Sequence, residues 1–144
     1  MNDTIQNDII AEFDGLTDWM DKYDYLISLG QELSPMNPQH RTDRYLINGC
    51  QSRVWVDAEL DGDGKMVFSA DSDAIITKGI IALLIRVMNG RTPQEVMELD
   101  LYFIDATGLS ENLSPTRSNG LTAMVKQMRM YALAFDSAKN KNDQ

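Results

Sequence analysis

The side chain best suited to chemistry is that of the chain's single cysteine, Cys50, in the segment Gly49-Cys50-Gln51-Ser52-Arg53. An unpaired cysteine most often serves as a small buried apolar residue, and composition alone favours that role. Its neighbours favour another, because glycine and polar residues on both sides are typical of an exposed turn. Such a thiol can be reached by another protein, and Arg53 would favour its reactive thiolate form.

The scarcity of other soft ligands restricts what Cys50 can do. One cysteine and one histidine, His40, cannot form an intramolecular disulfide, a structural zinc site or an iron–sulfur cluster site within one chain. We therefore predict no metal site. A cysteine hydrolase or transferase with His40 as base stays open as an alternative. The stretch Asp61-Gly62-Asp63-Gly64 predicts a hairpin rather than a calcium loop, because Ser72 stands where such a loop needs glutamate.

Composition limits the partners and the location. The 144 residues are 43% hydrophobic, which suits one compact domain over residues 1–144 with frayed ends at 1–4 and 137–144. The net charge of −9 argues against a nucleic-acid partner. An acidic N-terminus is untypical of a signal peptide, and the longest apolar run, Ile80 to Ile85, is too short to cross a bilayer. We predict a cytoplasmic protein with no membrane contact.

The elements that would position Cys50 begin with two helices. Apolar residues at helical spacing predict the first over residues 5–13. The second should begin after Thr17 or Asp18 and end at Gly30. An irregular connector over residues 31–44 follows.

Strands are predicted on both sides of the cysteine. Tyr45-Leu46-Ile47 should form a strand entering a tight turn at Asn48-Gly49. From Val54 to Leu60 apolar and polar residues alternate, which predicts a strand with one buried face. Lys65 to Ser69 should pair with it after the hairpin.

The second half of the sequence is predicted to be mainly helical. Asp71, Ser72 and Asp73 should supply the N-cap and first turn of an apolar core helix that ends at Asn89-Gly90. Thr92-Pro93-Gln94-Glu95 is a capping box, and a short helix should cover Leu101 to Ala106. Ser114-Pro115 should begin a long amphipathic helix. The order predicts an α+β fold with helices packed on a small antiparallel sheet.

Three sequence blocks carry a family resemblance. They are GCQSRVW at 49–55, DSDAIITKG at 71–79 and LSPTRSNGL at 113–121. In these blocks, and over residues 5 to 135 as a whole, the chain resembles SufE, the sulfur-acceptor partner of a cysteine desulfurase in bacterial iron–sulfur cluster assembly. The stretch 102–112 follows the family pattern only loosely.

The resemblance implies a site and a reaction. Cys50 would accept sulfane sulfur as a persulfide, with the arginine of the third block near it and the acidic pair of the second block beside its loop. The supporting or partner-binding residues that it implies are Gly49, Gln51, Ser52, Arg53, Asp71, Asp73 and Arg117. Without the resemblance, Arg117 would be an ordinary solvated arginine, and the two aspartates would only cap the core helix.

The resemblance also implies the fold and the partners. The fold would be α+β and similar to the U-type (IscU-like) iron–sulfur scaffold. The chain would have no cofactor and no stand-alone activity, because pyridoxal phosphate belongs to the partner, a SufS-like cysteine desulfurase. A SufBCD-like scaffold complex would receive the sulfur. Members of this family are known to pair, so a homodimer is compatible with the resemblance. A structural adaptor that binds a partner without chemistry is a further alternative.

Overall fold

The structure is a computed structural model that describes residues 3–47 and 52–142, with side chains up to residue 138. Three predicted site residues, Gly49, Cys50 and Gln51, lie outside the described residues, as does the predicted turn at Asn48-Gly49. Ser52, Arg53, Asp71, Asp73 and Arg117 lie within them.

The two N-terminal helices form as predicted, with one difference. Helix α1 spans Thr4–Asp14 and α2 spans Trp19–Glu32, and the Asp18 carboxylate caps α2 by accepting a hydrogen bond from the Asp21 amide. The predicted stop at Gly30 was wrong, because α2 continues to Glu32. Gly30 is buried, and a Cβ there would lie 2.9 Å from the Gly79 nitrogen on α3 (Ile75–Met88). Glycine serves close helix packing here rather than termination.

The connector contains two short 3₁₀ turns, Pro38–His40 and Asp43–Tyr45. The predicted strand over residues 45–47 was largely wrong, since Leu46 forms only an isolated bridge to Trp55. The Tyr45 amide instead bonds within its own turn, to the Thr42 carbonyl oxygen. Tyr45 therefore belongs to a 3₁₀ turn rather than to a strand.

The sheet has two antiparallel strands, β1 (Val54–Leu60) and β2 (Met66–Ser72). Val54 pairs with Ser72 at one end and Leu60 with Met66 at the hairpin end. The predicted hairpin is confirmed. The alternating burial predicted for β1 was wrong at two places: Trp55 is only 7% exposed, whereas Leu60 is 39% exposed. The Arg41 guanidinium carbon lies 4.7 Å from the centre of the Trp55 ring and covers it, whereas Leu60 lies at the hairpin end.

The acidic stretch before α3 differs from its prediction. The N-cap of α3 is Ala74, which has no side chain able to cap the helix. Because β2 extends to Ser72, Asp71 and Ser72 belong to the sheet, and the Asp73 carboxylate bonds to the Arg53 amide instead. The prediction that Asp71, Ser72 and Asp73 form the N-cap and first turn was therefore wrong.

The chain after α3 is mainly helical. The capping box of α4 (Pro93–Glu98) is confirmed, α5 (Phe103–Ala106) lies within the predicted short helix, and α6 (Leu109–Asn112) was not predicted. Helix α7 spans Pro115–Asn142. The predicted fraying of residues 1–4 and 137–144 stays a prediction, although helical backbone extends into both segments.

The core lies between the sheet, α3 and α7. Leu83, Leu84 and Met88 of α3 and Met124 and Met128 of α7 are at most 1% exposed. The α+β architecture is confirmed. Over residues 3–47 and 52–142, none of the helices combines the length and apolar character needed to cross a membrane.

Candidate functional site

Both ends of the segment that contains Cys50 are anchored to the sheet. On the N-terminal side, the Ile47 amide donates to the Val54 carbonyl oxygen at 2.8 Å. On the C-terminal side, the Arg53 amide donates to Asp73 Oδ1 at 3.1 Å. The Ser72 hydroxyl donates to the Arg53 carbonyl oxygen at 2.8 Å. The positions from which the chain leaves and rejoins the sheet are thus fixed by hydrogen bonds to the backbone.

A cavity of about 650 Å³ opens beside Ser52, between the starts of α3 and α7. Its described lining residues are Ser52, Asp73, Ala74, Ile75, Ile76, Thr77, Ser114, Thr116 and Arg117. A second, much smaller space of about 20 Å³ continues inward past Ser52 and Arg117 to Ile80 and Met124. The structure therefore brings together three predicted site residues, Ser52, Asp73 and Arg117, from three separate parts of the chain.

Arg117 contributes a positive charge to this cavity. Its amide donates to the Ser114 hydroxyl oxygen at 3.3 Å, so it lies in the first turn of α7. Its guanidinium carbon is 5.9 Å from the centre of the Tyr23 ring. No carboxylate among the described residues forms an ion pair with Arg117. Its charge therefore remains available to an anion in the cavity.

Asp71 lies near the same end of the sheet but faces other partners. It is opposite Trp55 on β1, and its carboxylate lies 3.2 Å from Arg41 Nε and 3.3 Å from Lys78 Nζ. With a side chain only 17% exposed, Asp71 joins the connector, the sheet and α3 through one charged cluster. It does not line the Ser52 cavity.

His40 contacts a part of the sheet away from the Ser52 cavity. Its Nδ1 atom lies 2.6 Å from Asp57 Oδ2, and its ring centre lies 4.8 Å from that of Tyr45. Asp57 pairs with Ser69, three residues along β1 from Val54. His40 is therefore not among the residues that line the Ser52 cavity.

Sequence reasoning missed the small polar residues around the cavity. Thr77, Ser114 and Thr116 all line it, and Thr77 is only 8% exposed. The available indication was that Thr77 lies in the second block of the family resemblance, and Ser114 and Thr116 in the third. Within the part of the chain that the structure describes, no group of three His, Cys, Asp or Glu residues could hold a metal ion.

The chain is similar to a solved structure and matches a protein family. The solution structure of a hypothetical protein from Thermus thermophilus superposes with a TM-score of 0.77 at 22% sequence identity. The match covers 95% of this chain and 99% of that one, so the two share a fold. The family described as "SufE: Fe-S metabolism associated domain" matches residues 7–132. Because that match covers most of the chain, the protein belongs to the SufE family.

Proposed function

We propose that this protein accepts sulfane sulfur from a cysteine desulfurase as a persulfide on Cys50, stimulates that enzyme and passes the sulfur on for iron–sulfur cluster assembly. The observation that carries the proposal is that Arg117, which has no carboxylate partner among the described residues, lines the same cavity as Ser52 in a chain of the SufE family. Ser52 follows Cys50 by two positions, and two residues of extended chain span at most about 7 Å. The positive charge of Arg117 therefore lies on a cavity that begins within about 7 Å of chain from Cys50.

The transfer step is a thiol exchange on sulfur. The Cys50 thiolate attacks the terminal sulfur of the donor persulfide, R–S–SH. A new S–S bond forms on Cys50, the donor's S–S bond breaks, and the donor leaves as the thiolate R–S⁻. Charge and atoms balance, and the sulfane sulfur keeps its oxidation state. No external oxidant or reductant is needed.

Three features of the chain support this role. Arg117 would raise the thiolate fraction of Cys50 and stabilise a persulfide anion. The cavity of about 650 Å³ could shelter the added sulfur from water and oxidants. Cys50 is also the sole cysteine, so no neighbouring thiol can convert the persulfide into an intramolecular disulfide and release sulfide.

The partners follow from the same proposal. Pyridoxal phosphate would belong to a SufS-like desulfurase, and a SufBCD-like scaffold complex would take the sulfur. We assign the remaining predicted residues, Gly49, Gln51, Arg53 and Asp71, to shaping the loop and meeting the partner. A homodimer and a cytoplasmic location stay predictions.

The mass of the intact protein tests the proposal. The wild type is incubated with a cognate desulfurase, pyridoxal phosphate and L-cysteine, and we expect its mass to increase by about 32 Da for each added sulfur atom. A Cys50→Ser variant should stay unmodified and should not stimulate the desulfurase. Equal behaviour of the two proteins would refute persulfide transfer and favour an adaptor without chemistry.

One observation supports the alternative of a cysteine hydrolase or transferase. The 2.6 Å contact between His40 Nδ1 and Asp57 matches the pairing of a catalytic base with the carboxylate that orients it. His40 does not line the Ser52 cavity, however, which favours sulfur transfer. His40→Ala should leave sulfur loading intact, whereas a hydrolase would lose its activity.

A further inference from the structure

A second cavity, of about 730 Å³, lies along α7 on a face different from that of Arg117. Its other wall is the chain from the end of α4 to the start of α6, and the groove is lined mainly by apolar side chains. They include Met97, Leu101, Ile104, Val125, Met130 and Leu133. The volume lies in the range of small-molecule sites, and none of the lining residues belongs to the Ser52 cavity.

Arg129 lies in this groove without a counter-ion. One guanidinium nitrogen, Nη2, donates to the Leu99 carbonyl oxygen at 2.7 Å. The Nε atom is buried and has no hydrogen-bond partner among the described residues. No described carboxylate pairs with Arg129, even though Asp100 also lines the groove. A half-buried charge with an unsatisfied donor is costly, and native structures normally compensate it with a partner, a water molecule or an ion.

The charges around Arg129 favour an anion. Lys126 lies one turn before it on α7 and lines the same groove, so two cations face the single carboxylate of Asp100, which is exposed. This local excess of positive charge occurs in a protein whose net charge is −9. An apolar groove with cations in its wall is complementary to a molecule that has an apolar body and an acidic head.

We propose that this groove binds a small amphiphilic anion, an apolar chain or ring that carries one carboxylate or a similar acidic group. The acidic head would pair with Arg129 and Lys126, and the apolar body would cover Val125, Met130 and Leu133. Met130 and Leu133 are 53% and 54% exposed and lie one turn apart on α7, so they form a contiguous exposed apolar patch. A free small molecule suits the site better than an anionic membrane, because the overall charge of −9 repels such a surface.

Three ten-carbon probes that differ in their heads test the ligand class. Decanoate and decyltrimethylammonium, below their micelle-forming concentrations, and decanol, below its solubility limit, are titrated into the full ¹⁵N-labelled chain, and amide shifts are followed. We expect decanoate to shift the amides of Leu101, Ile104, Val125 and Arg129 and to saturate. Decanol should bind about tenfold more weakly, because it lacks the charge-assisted hydrogen bond. Equal affinity for decanoate and decanol, or shifts elsewhere, would overturn the proposal.

Two substitutions at one exposed position test the charge without disturbing the core. Leu133→Glu and Leu133→Lys remove the same apolar contact but add opposite charges. We expect the lysine variant to bind decanoate more tightly than the glutamate variant, and the reverse order for decyltrimethylammonium. The same order for both probes would refute electrostatic recognition.

A direct test of Arg129 uses a matched arginine elsewhere. Arg129→Gln should weaken decanoate binding about tenfold but leave decanol binding nearly unchanged. Arg44→Gln, whose guanidinium contacts the Tyr45 ring outside the groove, should leave both unchanged. Equal losses in the two variants would show a general charge effect and contradict the site. Co-sedimentation of the wild type with phosphatidylglycerol vesicles would point to a membrane surface and contradict a free ligand.

Discussion

Arg53 and Asp73 bond to each other through two contacts at the open end of the sheet. The Arg53 amide donates to Asp73 Oδ1 at 3.1 Å, and the Asp73 amide donates to the Arg53 carbonyl oxygen at 3.3 Å. The Ser72 hydroxyl donates to that carbonyl oxygen as well. Because Cys50 lies three residues before Arg53, this arrangement fixes one end of the segment that contains the thiol.

Replacing Asp73 tests whether its hydrogen bonds with Arg53 support sulfur transfer. We expect Asp73→Ala to lower the free energy of unfolding by about 1 kcal/mol or less, since one hydrogen bond at an exposed site is lost. Persulfide formation in the desulfurase mixture should slow about fivefold, as expected for a similar energy in the transition state. Asp73→Asn keeps the Oδ1 acceptor and should retain most of the rate.

A matched control is available at the other end of the sheet. Asp63 lies exposed in the hairpin, and Asp63→Ala should leave the rate of persulfide formation unchanged. If persulfide formation is as slow in Asp73→Asn as in Asp73→Ala, the carboxylate charge rather than the hydrogen bond to Arg53 is responsible. The positioning role of Asp73 would then be wrong.

Arg117 should influence the reactivity of Cys50 through its charge. An unpaired guanidinium near a thiol lowers the thiol pKa, because it stabilises the thiolate. In Arg117→Ala, the pH profile of Cys50 alkylation should move to higher pH by roughly one unit, whereas Arg117→Lys should stay close to the wild type. Alkylation rates between about pH 6 and pH 10, followed by intact mass, measure the shift; that range brackets the usual cysteine pKa of about 8.5.

Arg44→Ala is the control for this measurement, because Arg44 lines neither cavity and contacts the Tyr45 ring. It removes the same charge from the protein. An equal shift in Arg44→Ala and Arg117→Ala would mean that the total charge, and not the position of Arg117, sets the thiol's reactivity.

Local sequence patterns predicted the elements whose hydrogen bonds close within a few residues. The capping box of Thr92 and Glu95 is an example, because both of its bonds join residues three apart. Asp71 and Asp73 were assigned wrongly for the opposite reason. Their real partners, Arg41, Lys78 and Arg53, depend on the register of β1 and β2, which no local pattern specifies.

The candidate site could be predicted only through the family resemblance. Ser52 and Arg117 line one cavity although they lie in different halves of the chain. Local patterns place Ser52 in a polar turn and Arg117 in the first turn of a helix, but the packing of α7 beside α3 and the sheet brings them together. Gly30 shows the same limit: glycine after a helical stripe predicts a helix end, yet here it serves the contact with Gly79.

An ion pair between α1 and α3 should make stability depend on pH. Arg86 donates to both carboxylate oxygens of Glu12 at 2.9 and 2.7 Å, and Tyr25 bonds to the same carboxylate. These bonds, those from Arg86 above all, hold the pKa of Glu12 below its usual 4.5 against the opposing effect of burial. A lowered folded-state pKa means that the stabilisation is present above about pH 4.5 and is lost as the pH falls through the folded-state pKa.

Urea unfolding between about pH 6 and pH 3 measures this dependence. Other carboxylates titrate in that range too, so the comparison is with Glu12→Gln, whose midpoint should fall less steeply than that of the wild type. Arg86→Gln should flatten the profile in the same way, and the double variant should add little. Independent, additive effects of the two substitutions would show that the pair does not act as a unit.

The crossing of α2 and α3 depends on glycine and should tolerate no larger residue. A Cβ on Gly79 would overlap the carbonyl group of Leu26, and that carbonyl is backbone that cannot rotate away. Gly79→Ala must therefore push the two helices apart, which exposes the packed faces around Leu26. We expect a loss of about 3 kcal/mol in the free energy of unfolding, measured by urea denaturation. Gly62→Ala is the control, because no atom lies within 4 Å of a Cβ there. A loss of similar size in both variants, or a stable Gly79→Ala protein, would mean that the close approach of α2 to α3 does not constrain the fold.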